Sequence, residues 1–368
     1  MSSAYRPVMV VVLLAIGAAL PLAAQDAPGG QNTIEQLQGK NVLADEDKVA
    51  LKTWIDQRVQ VISSGDPAGS VTATKEMRRA YRGSASFKEA FVATSIEAIG
   101  AAYKRAKRDA ATRLITVLNL LDDVSAHPLL IEVLRDERVP VRTAAVIGLA
   151  RLRPKIAGAG AGPFATVIAE LRDAGKRETS AVTLKMIYGA MNYTGPGFSS
   201  PDAKANAAAV LDLLAARGEQ YGKQGVKAEA ADRAGLELAG KLMAQYDDPA
   251  KQRLVVACAK MLRYAVDRYT SELHKIQDKG GSPVQIALRN RVETFIITAE
   301  AMLKTLTKPE TSPEVAKALQ EKEADDKVIA IKIEMNKWGD LLQERYQFDV
   351  HVAEPEPEPE PVEEDEGD

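Results

Sequence analysis

The chain has 368 residues, of which 27% are charged and 5% aromatic, and its formal net charge at pH 7 is −3. This length exceeds what one compact core usually serves, and the scarcity of aromatic and strand-forming runs argues against a β-rich protein. Because Cys258 is the only cysteine, an intramolecular disulfide and a cysteine-rich metal site are excluded. The composition predicts an all-α protein.

The first 24 residues have the pattern of a secretory signal peptide. Arg6 gives a positive start, an apolar stretch follows over residues 8–19, and Ala23 and Ala24 offer a cleavage site. The alternative is a membrane anchor over residues 7–24, because 18 residues are near the lower limit for crossing a bilayer. Both interpretations place the body of the protein in the periplasm or outside the cell. If the signal peptide is cleaved, we expect no membrane insertion of the mature protein.

Residues 25–43 are rich in Asp, Pro, Gly, Gln and Asn and poor in apolar side chains, so we expect a flexible leader. From residue 44 onward the apolar residues take helical spacing, and glycines at 65 and 83 end the first two helices. Two longer helices follow, one capped by Ser86 and one opened by Asp109. The beginning of the chain therefore predicts successive helix pairs.

Residues 127–152 carry the clearest pattern in the chain. A short amphipathic helix is followed by a turn at residues 136–140 and by a second helix with an apolar stripe. Two helices joined by so short a turn lie nearly antiparallel, and neither buries its stripe without neighbouring pairs. A fainter copy follows 37 residues later, where Leu171-Arg172-Asp173 repeats Leu134-Arg135-Asp136. Residues 158–163, rich in glycine, are expected to be a flexible connector.

This stretch resembles a HEAT repeat, clearly over residues 127–152 and weakly over 162–194. The residues that carry the resemblance are Pro128, Leu134, Asp136, Val141, Arg142, Ala144, Ala145, Gly148 and Leu149. The resemblance implies a right-handed, armadillo-like α-solenoid of HEAT-like helix pairs over residues 44–247, whose usual work is to hold partners. It also implies that Asp136 and Arg142 stabilise the turn and link neighbouring repeats.

After a boundary at Asp247-Asp248-Pro249 the helices become longer, and residues 249–348 are predicted to form a bundle of long antiparallel helices. These helices are expected over 249–279, 282–307 and 313–346. The last has a heptad seam, formed by Val328, Ile331, Met335, Trp338 and Leu342. Residues 349–368 are expected to be a disordered tail, because Glu alternates with Pro and nine acidic residues occur without a basic one from Glu354 onward.

The sequence contains no motif typical of catalysis, of a cofactor site or of a metal site. His127, His274 and His351 lie far apart, and no arrangement of His, Cys and Ser supports a nucleophilic triad. Residues 235–242 approach a phosphate-binding loop, but they lack its final Ser or Thr and its preceding strand. We therefore expect no cofactor, no metal and no enzymatic activity. The basic surplus outside the tail is too diffuse to indicate nucleic-acid binding.

The leading hypothesis is a non-catalytic exported scaffold that binds a protein partner. In HEAT-like solenoids the second helix of each pair lines the concave side, and this analogy predicts a partner-binding surface containing Arg142, Arg151, Lys185 and Tyr188. One alternative is an exported lyase or hydrolase of an envelope polymer, indicated if a cleft held a buried carboxylate beside Tyr188 or Tyr193. The other is a membrane-tethered structural spacer. The sequence predicts neither the partner nor the oligomeric state.

Overall fold

The computed structural model describes residues 30–194, 202–224, 227–276, 281–321 and 323–352. Every regular element within these ranges is helical, so the all-α prediction is confirmed for this part of the chain. The predicted signal peptide and the acidic residues from 353 onward lie outside the described residues. None of the helices in the described part is long and apolar enough to cross a membrane.

The described residues form fifteen α-helices. In chain order they are α1 (Gly30–Gln38), α2 (Asp45–Ser63), α3 (Pro67–Ala80), α4 (Ala85–Tyr103), α5 (Arg108–Leu120), α6 (His127–Val133), α7 (Val139–Gly158), α8 (Ala161–Arg177), α9 (Ala181–Ala190), α10 (Ala203–Gln224), α11 (Glu229–Lys241), α12 (Asp248–Arg268), α13 (Pro283–Thr307), α14 (Val315–Ala318) and α15 (Ala324–Tyr346). A π-helical turn, Tyr269–Leu273, extends α12.

Several helices begin where a polar side chain caps the free backbone N–H groups. The carboxylate of Asp66 accepts from the N–H groups of Ala68 and Gly69 at the start of α3. Ser282 and Gln285 form a reciprocal capping box at the start of α13. The cap of α4 is Ser84, two residues before the predicted one. Local chemistry in the sequence therefore sets many helix boundaries to within a turn.

Helices that alternate along the chain pack against one another. One series runs from α5 through α7, α9 and α11 to α13, and another runs from α8 through α10 to α12. Each helix also packs on its neighbour in sequence, as α6 does on α7 and α10 on α11. Buried apolar side chains from Ile34 to Val352 form one connected cluster between these helices. The core is therefore shared by successive pairs along the chain.

The flexible leader predicted over residues 25–43 is wrong from residue 30 onward. Helix α1 lies there, and Ile34, Leu37 and Leu43 are buried. The Nε2 group of Gln38 donates to the carbonyl of Ala80 at 2.9 Å, which attaches α1 to the end of α3. A few apolar residues are enough to pack α1 on the body of the protein, because helical spacing brings Ile34 and Leu37 to one face that neighbouring helices cover.

The predicted flexible connector over residues 158–163 is also wrong. Helix α7 continues to Gly158 and α8 begins at Ala161. Gly160 makes the turn between them with a φ of 100°, a conformation that favours glycine. The other glycines are accommodated within helix ends, because packing of the flanking apolar residues outweighs their weak helical preference.

The C-terminal helices pack on one another and also on the preceding pairs. Helix α12 packs along α10, and α13 packs on α11. The predicted helix over residues 313–346 is divided into α14 and α15, whereas the one predicted over 282–307 matches α13 closely. The heptad seam of α15 is buried at four of its five predicted positions, which are Ile331, Met335, Trp338 and Leu342.

The start of the predicted disordered tail also differs from the sequence prediction. Val350 and Val352 are buried against the body of the protein. The N–H of Val352 donates to Oδ1 of Asn336 at 2.9 Å, so the chain remains attached to α15 as far as residue 352. Alternate apolar side chains at 348, 350 and 352 allowed this short stretch to bury one side, which an all-polar segment cannot do.

Candidate functional site

The turn between α6 and α7 is attached to the preceding helix pair by Arg138. Its guanidinium binds Asp136, with 2.8 Å from Nε to Oδ1 and 2.6 Å from Nη2 to Oδ2. The same guanidinium donates to the carbonyls of Ala106 at 2.6 Å and Tyr103 at 3.2 Å. The hydrogen bonds from Arg138 lower the pKa of the Asp136 carboxyl, so this carboxylate stays ionised. The turn residues therefore attach the α6–α7 pair to the α4–α5 pair.

Arg142 makes the matching connection to the following pair. Its Nε and Nη2 atoms bind the two carboxylate oxygens of Glu178 at 2.9 and 2.8 Å, a bidentate arrangement. Its Nη1 atom donates to the carbonyls of Asp136 and Glu137 at 2.8 and 2.9 Å. Glu178 also accepts from the N–H of Ser180 at the start of α9. These contacts confirm the predicted linking role of Arg142.

A hydrogen bond between two threonines sets the register of α7 against α9. The hydroxyl oxygens of Thr143 and Thr183 are 2.7 Å apart. Farther along, Arg153 donates to the carbonyl of Gly189 at 3.1 Å and also to that of Asn192. The residue numbers increase along both helices from the first contact to the second, so α7 and α9 lie parallel and side by side.

This register places a group of apolar side chains on an exposed surface. Ile147 lies one turn beyond Thr143 on α7, and Met186 lies three residues beyond Thr183 on α9. Their exposed fractions are 47% and 41%, and that of Val182 is 63%. We use the name α7–α9 face for the exposed residues Val139, Ile147, Arg151, Val182, Lys185 and Met186.

Two of the four predicted partner-binding residues lie on this face. The side chain of Lys185 is exposed and forms no ion pair with any residue in the described ranges. Arg151 is half exposed, and its Nε atom lies 3.8 Å from Oδ1 of Asp122. Because a surface pair at this distance is weak, Arg151 remains able to contact another molecule.

The other two predicted residues do not lie on the exposed face. The side chain of Arg142 is 17% exposed and its donors are occupied by Glu178 and by backbone carbonyls. The placement predicted for Tyr188 is wrong, because this side chain is 1% exposed and lies in the core. Tyr188 falls on the inner stripe of α9, where the HEAT analogy did not place it.

Tyr188 belongs to a buried polar cluster around Asp232, which joins three consecutive helices. The carboxylate of Asp232 on α11 accepts from the hydroxyl of Tyr188 on α9 at 2.9 Å. From α10, the hydroxyl of Tyr221 donates at 2.5 Å and the Nη2 atom of Arg217 donates at 3.1 Å. The carboxylate is fully buried, and the three donors are at most 3% exposed. The name Asp232 cluster is used for these four residues.

The electrostatics of the Asp232 cluster favour a fixed, fully satisfied structure. Burial, reinforced by the nearby negative charge of Asp232, raises the pKa of Tyr188 and of Tyr221 well above the ordinary value, so both hydroxyls remain protonated donors. Arg217 supplies the compensating positive charge at the same carboxylate. A carboxylate beside Tyr188 was the feature expected of an enzyme, but here it lies in the core and not in a cleft.

The sequence analysis missed Arg138, Arg217 and Asp232, although signals for them were present. Arg217 lies at the end of an apolar stripe on α10, seven residues after Val210 and four before Tyr221. A charged residue at a core position is rarely tolerated without a partner, so it predicts a buried opposite charge. Arg138 follows Asp136 at the spacing of a short turn, where an arginine can bind the preceding carboxylate.

The described residues contain no group of three or more His, Cys, Asp or Glu side chains placed to hold a metal ion. His127 begins α6 and its Nδ1 atom lies 2.7 Å from the carbonyl of Val124. His274 is half buried, and burial lowers its pKa. Cys258 is fully buried, and burial raises the pKa of its thiol.

Comparison with known proteins provides no independent identification. No protein family model matches the chain, and no curated protein and no solved structure matches it. The resemblance to a HEAT repeat therefore depends on the residues of the chain itself and stays a prediction.

Proposed function

We propose that the protein is a non-catalytic scaffold which binds a protein partner through the α7–α9 face. The observation that carries this proposal is the grouping of Ile147, Val182 and Met186 at the surface, beside the cations of Arg151 and Lys185. Exposed apolar side chains rimmed by polar groups are typical of protein-binding surfaces.

The support beneath the α7–α9 face favours a rigid binding surface. The hydrogen bonds of Arg142 with Glu178 and of Thr143 with Thr183 fix α7 against α9. A surface that is already ordered loses less conformational entropy when it binds, so more of the contact energy contributes to affinity.

The arrangement of the helix pairs along the chain is part of the same proposal. We infer that the successive pairs from α2 to α13 form a HEAT-like α-solenoid, since alternate helices pack on one another and polar residues link consecutive pairs. The C-terminal helices would then be the last units of this array. An N-terminal signal peptide would export the protein to the periplasm or the exterior, or would anchor it if uncleaved.

The enclosure of the Asp232 cluster is a reason to prefer a scaffold to an exported lyase or hydrolase. A substrate would have to reach Asp232, Tyr188 or Tyr221 through the core. The donors around Asp232 are also occupied by its carboxylate, which suits a structural connection better than proton transfer.

A pair of matched valine substitutions tests the proposal. Val182 on the α7–α9 face is 63% exposed, and Val49 on α2 is 66% exposed. We expect Val182→Asp to remove the partner, because the carboxylate would be desolvated in an apolar contact, whereas Val49→Asp should leave binding unchanged. Affinity purification from the host's envelope fraction, with quantitative mass spectrometry of each variant, measures the difference.

The thermal midpoints of both variants serve as the control for folding and should match that of the unsubstituted protein. A specific partner is one retained by the Val49→Asp protein and depleted at least tenfold by Val182→Asp. Identical profiles for the two variants would contradict the α7–α9 face as the binding surface.

A further inference from the structure

The last described segment runs back along the helix that precedes it. Gln347 reverses the chain in the left-handed conformation, with a φ of 53°. The N–H of Phe348 donates to the carbonyl of Leu342 at 3.3 Å, and that of Val352 donates to Asn336 at 2.9 Å. We call residues 347–352 the C-terminal strap. It lies antiparallel to α15, from the end of that helix to its middle.

The strap is fixed in two ways, of which one depends on a proton. Val350 and Val352 are buried, which provides an apolar attachment that does not vary with pH. Between them, Nδ1 of His351 lies 2.6 Å from Oδ1 of Asp349, and Nε2 lies 3.0 Å from Oδ1 of Asp340. A neutral imidazole has one N–H and satisfies one of these carboxylates, whereas an imidazolium donates to both.

The backbone of α15 is shaped to receive this imidazole ring. A Cβ atom added at Gly339 would lie 2.6 Å from Cδ2 of His351, so the ring rests directly on a position that has no side chain. Asp340 follows Gly339 and supplies the carboxylate for Nε2. The contact therefore combines a close steric fit with two hydrogen bonds.

Two cavities adjoin the strap. One, of about 690 Å³, is lined by residues 344–347 and by α10 and α12, and the other, of about 550 Å³, is lined by residues 348–350 and by the same two helices. Glu219 and Lys260 line both cavities, and Nζ of Lys260 lies 5.3 Å from the ring centre of Phe348. The strap therefore contributes Gln347 to the wall of the first cavity and residues 348–350 to the wall of the second.

We propose that the C-terminal strap is a proton-dependent latch, in which His351 as an imidazolium holds residues 347–352 on α15 and its deprotonation favours opening of a groove along α10 and α12. The groove would run past Glu219 and Lys260, which both cavities share. Deprotonation removes one of the two hydrogen bonds, so the latch contact weakens while the burial of Val350 and Val352 remains.

The charges around His351 determine the direction of the pH effect. Asp340 on α15 and Asp349 on the strap raise its pKa, and partial burial opposes them. Arg263 on α12 contributes to lowering the pKa of Asp349, and Lys260 and Asp267 of α12 line the cavity on that side. Because the pKa is raised, the contact is fully present below the ordinary value of about 6.5 and is lost as the pH rises through the raised value.

The expected size of the effect is modest. The side chains of Asp340 and Asp349 are mostly exposed, so water competes for both carboxylates. We expect deprotonation to increase the opening equilibrium by about three- to tenfold, which corresponds to the loss of one hydrogen bond to a charged group near the surface.

Two measurements on the full chain test the latch. NMR titration of the His351 ring gives its pKa, and hydrogen exchange with mass spectrometry, corrected for intrinsic rates, gives the opening of residues 347–352. The expected result is that exchange from the strap rises about three- to tenfold through the same midpoint at which His351 titrates, above about pH 6.5.

Three variants separate the latch from a general effect of pH. His351→Gln should abolish the pH-dependent step in strap exchange, and His127→Gln, a control on α6, should preserve it. Gly339→Ala should displace the ring and return the pKa of His351 to the ordinary value, while the helix itself tolerates alanine well. Strap exchange that stays constant through the titration of His351, or a step that persists in His351→Gln, would overturn the proposal.

Discussion

Two junctions between successive helix pairs use ion pairs in different environments. Where α7 meets the following pair, the Arg142 guanidinium, which is 17% exposed, pairs with the buried carboxylate of Glu178. Where α9, α10 and α11 meet, Arg217 and Asp232 pair at the centre of the core. At the first junction the Arg142 guanidinium can still reach water if its partner is removed, whereas at the second neither Arg217 nor Asp232 can. Removal of similar hydrogen bonds at the two junctions should therefore lower the free energy of unfolding by different amounts.

The largest effect is expected from the buried junction. Asp232→Leu leaves the Arg217 guanidinium without a compensating charge in the core, and we expect a loss of about 3–5 kcal/mol in the free energy of unfolding. Urea denaturation measures it. The double variant Arg217→Met with Asp232→Leu should recover part of the loss, because no unpaired charge remains although the buried hydroxyls of Tyr188 and Tyr221 still lack their acceptor. Equal stability of the single and double variants would show that the pairing is not the source of the effect.

A glycine pair on neighbouring helices tests the packing around the same cluster. A Cβ atom at Gly235 on α11 would lie 2.5 Å from the ring of Tyr188, whereas one at Gly189 on α9 would meet nothing within 4 Å. Gly235→Ala should destabilise the protein by about 2 kcal/mol through overpacking. Gly189→Ala should stabilise it by about 0.5 kcal/mol through helix propensity. Thermal denaturation of both variants would refute the steric argument if their midpoints shift equally.

At the peripheral junction the expected effect is smaller. Glu178→Gln keeps the shape of the side chain but loses the bidentate charge pair with Arg142, and we expect a cost of about 1–2 kcal/mol in unfolding free energy. Glu170 provides a control, since its pair with Arg135 is more exposed. Glu170→Gln should cost less than about 0.5 kcal/mol. If Glu178→Gln costs as much as Asp232→Leu, burial does not distinguish the two junctions.

The smallest effect is expected at the threonine pair. Thr143→Val removes the hydroxyl partner of the buried Thr183, and we expect a loss of about 0.5–1 kcal/mol. Thr116→Val on α5 is the control, because its exposed hydroxyl bonds only within its own helix, to the carbonyl of Thr112. Chemical denaturation that gives the same value for both variants would mean that the link between α7 and α9 contributes nothing to stability.

The exposure of part of the candidate site could be predicted from the sequence, because helix periodicity separates inner from outer positions. Lys185 and Arg151 fall outside the apolar stripes of their helices and are exposed, whereas their contact with a partner was predicted only by analogy with HEAT solenoids. Tyr188 could not be placed in the same way, since an aromatic side chain with a polar end is found both at surfaces and in cores. The acceptor that satisfies its buried hydroxyl is Asp232, which is 44 residues away in sequence.

The helical class and most helix boundaries follow from the chain alone, because apolar periodicity, capping residues and turn chemistry act over a few residues. Long-range packing was needed to show that the leader contains a packed helix, that α12 and α13 also pack on the preceding pairs, that Arg142 reaches Glu178, and that Tyr188, Arg217, Tyr221 and Asp232 meet. These outcomes depend on which surfaces lie opposite one another in three dimensions. The free energy of burial is set by that neighbourhood and not by the local pattern of the chain.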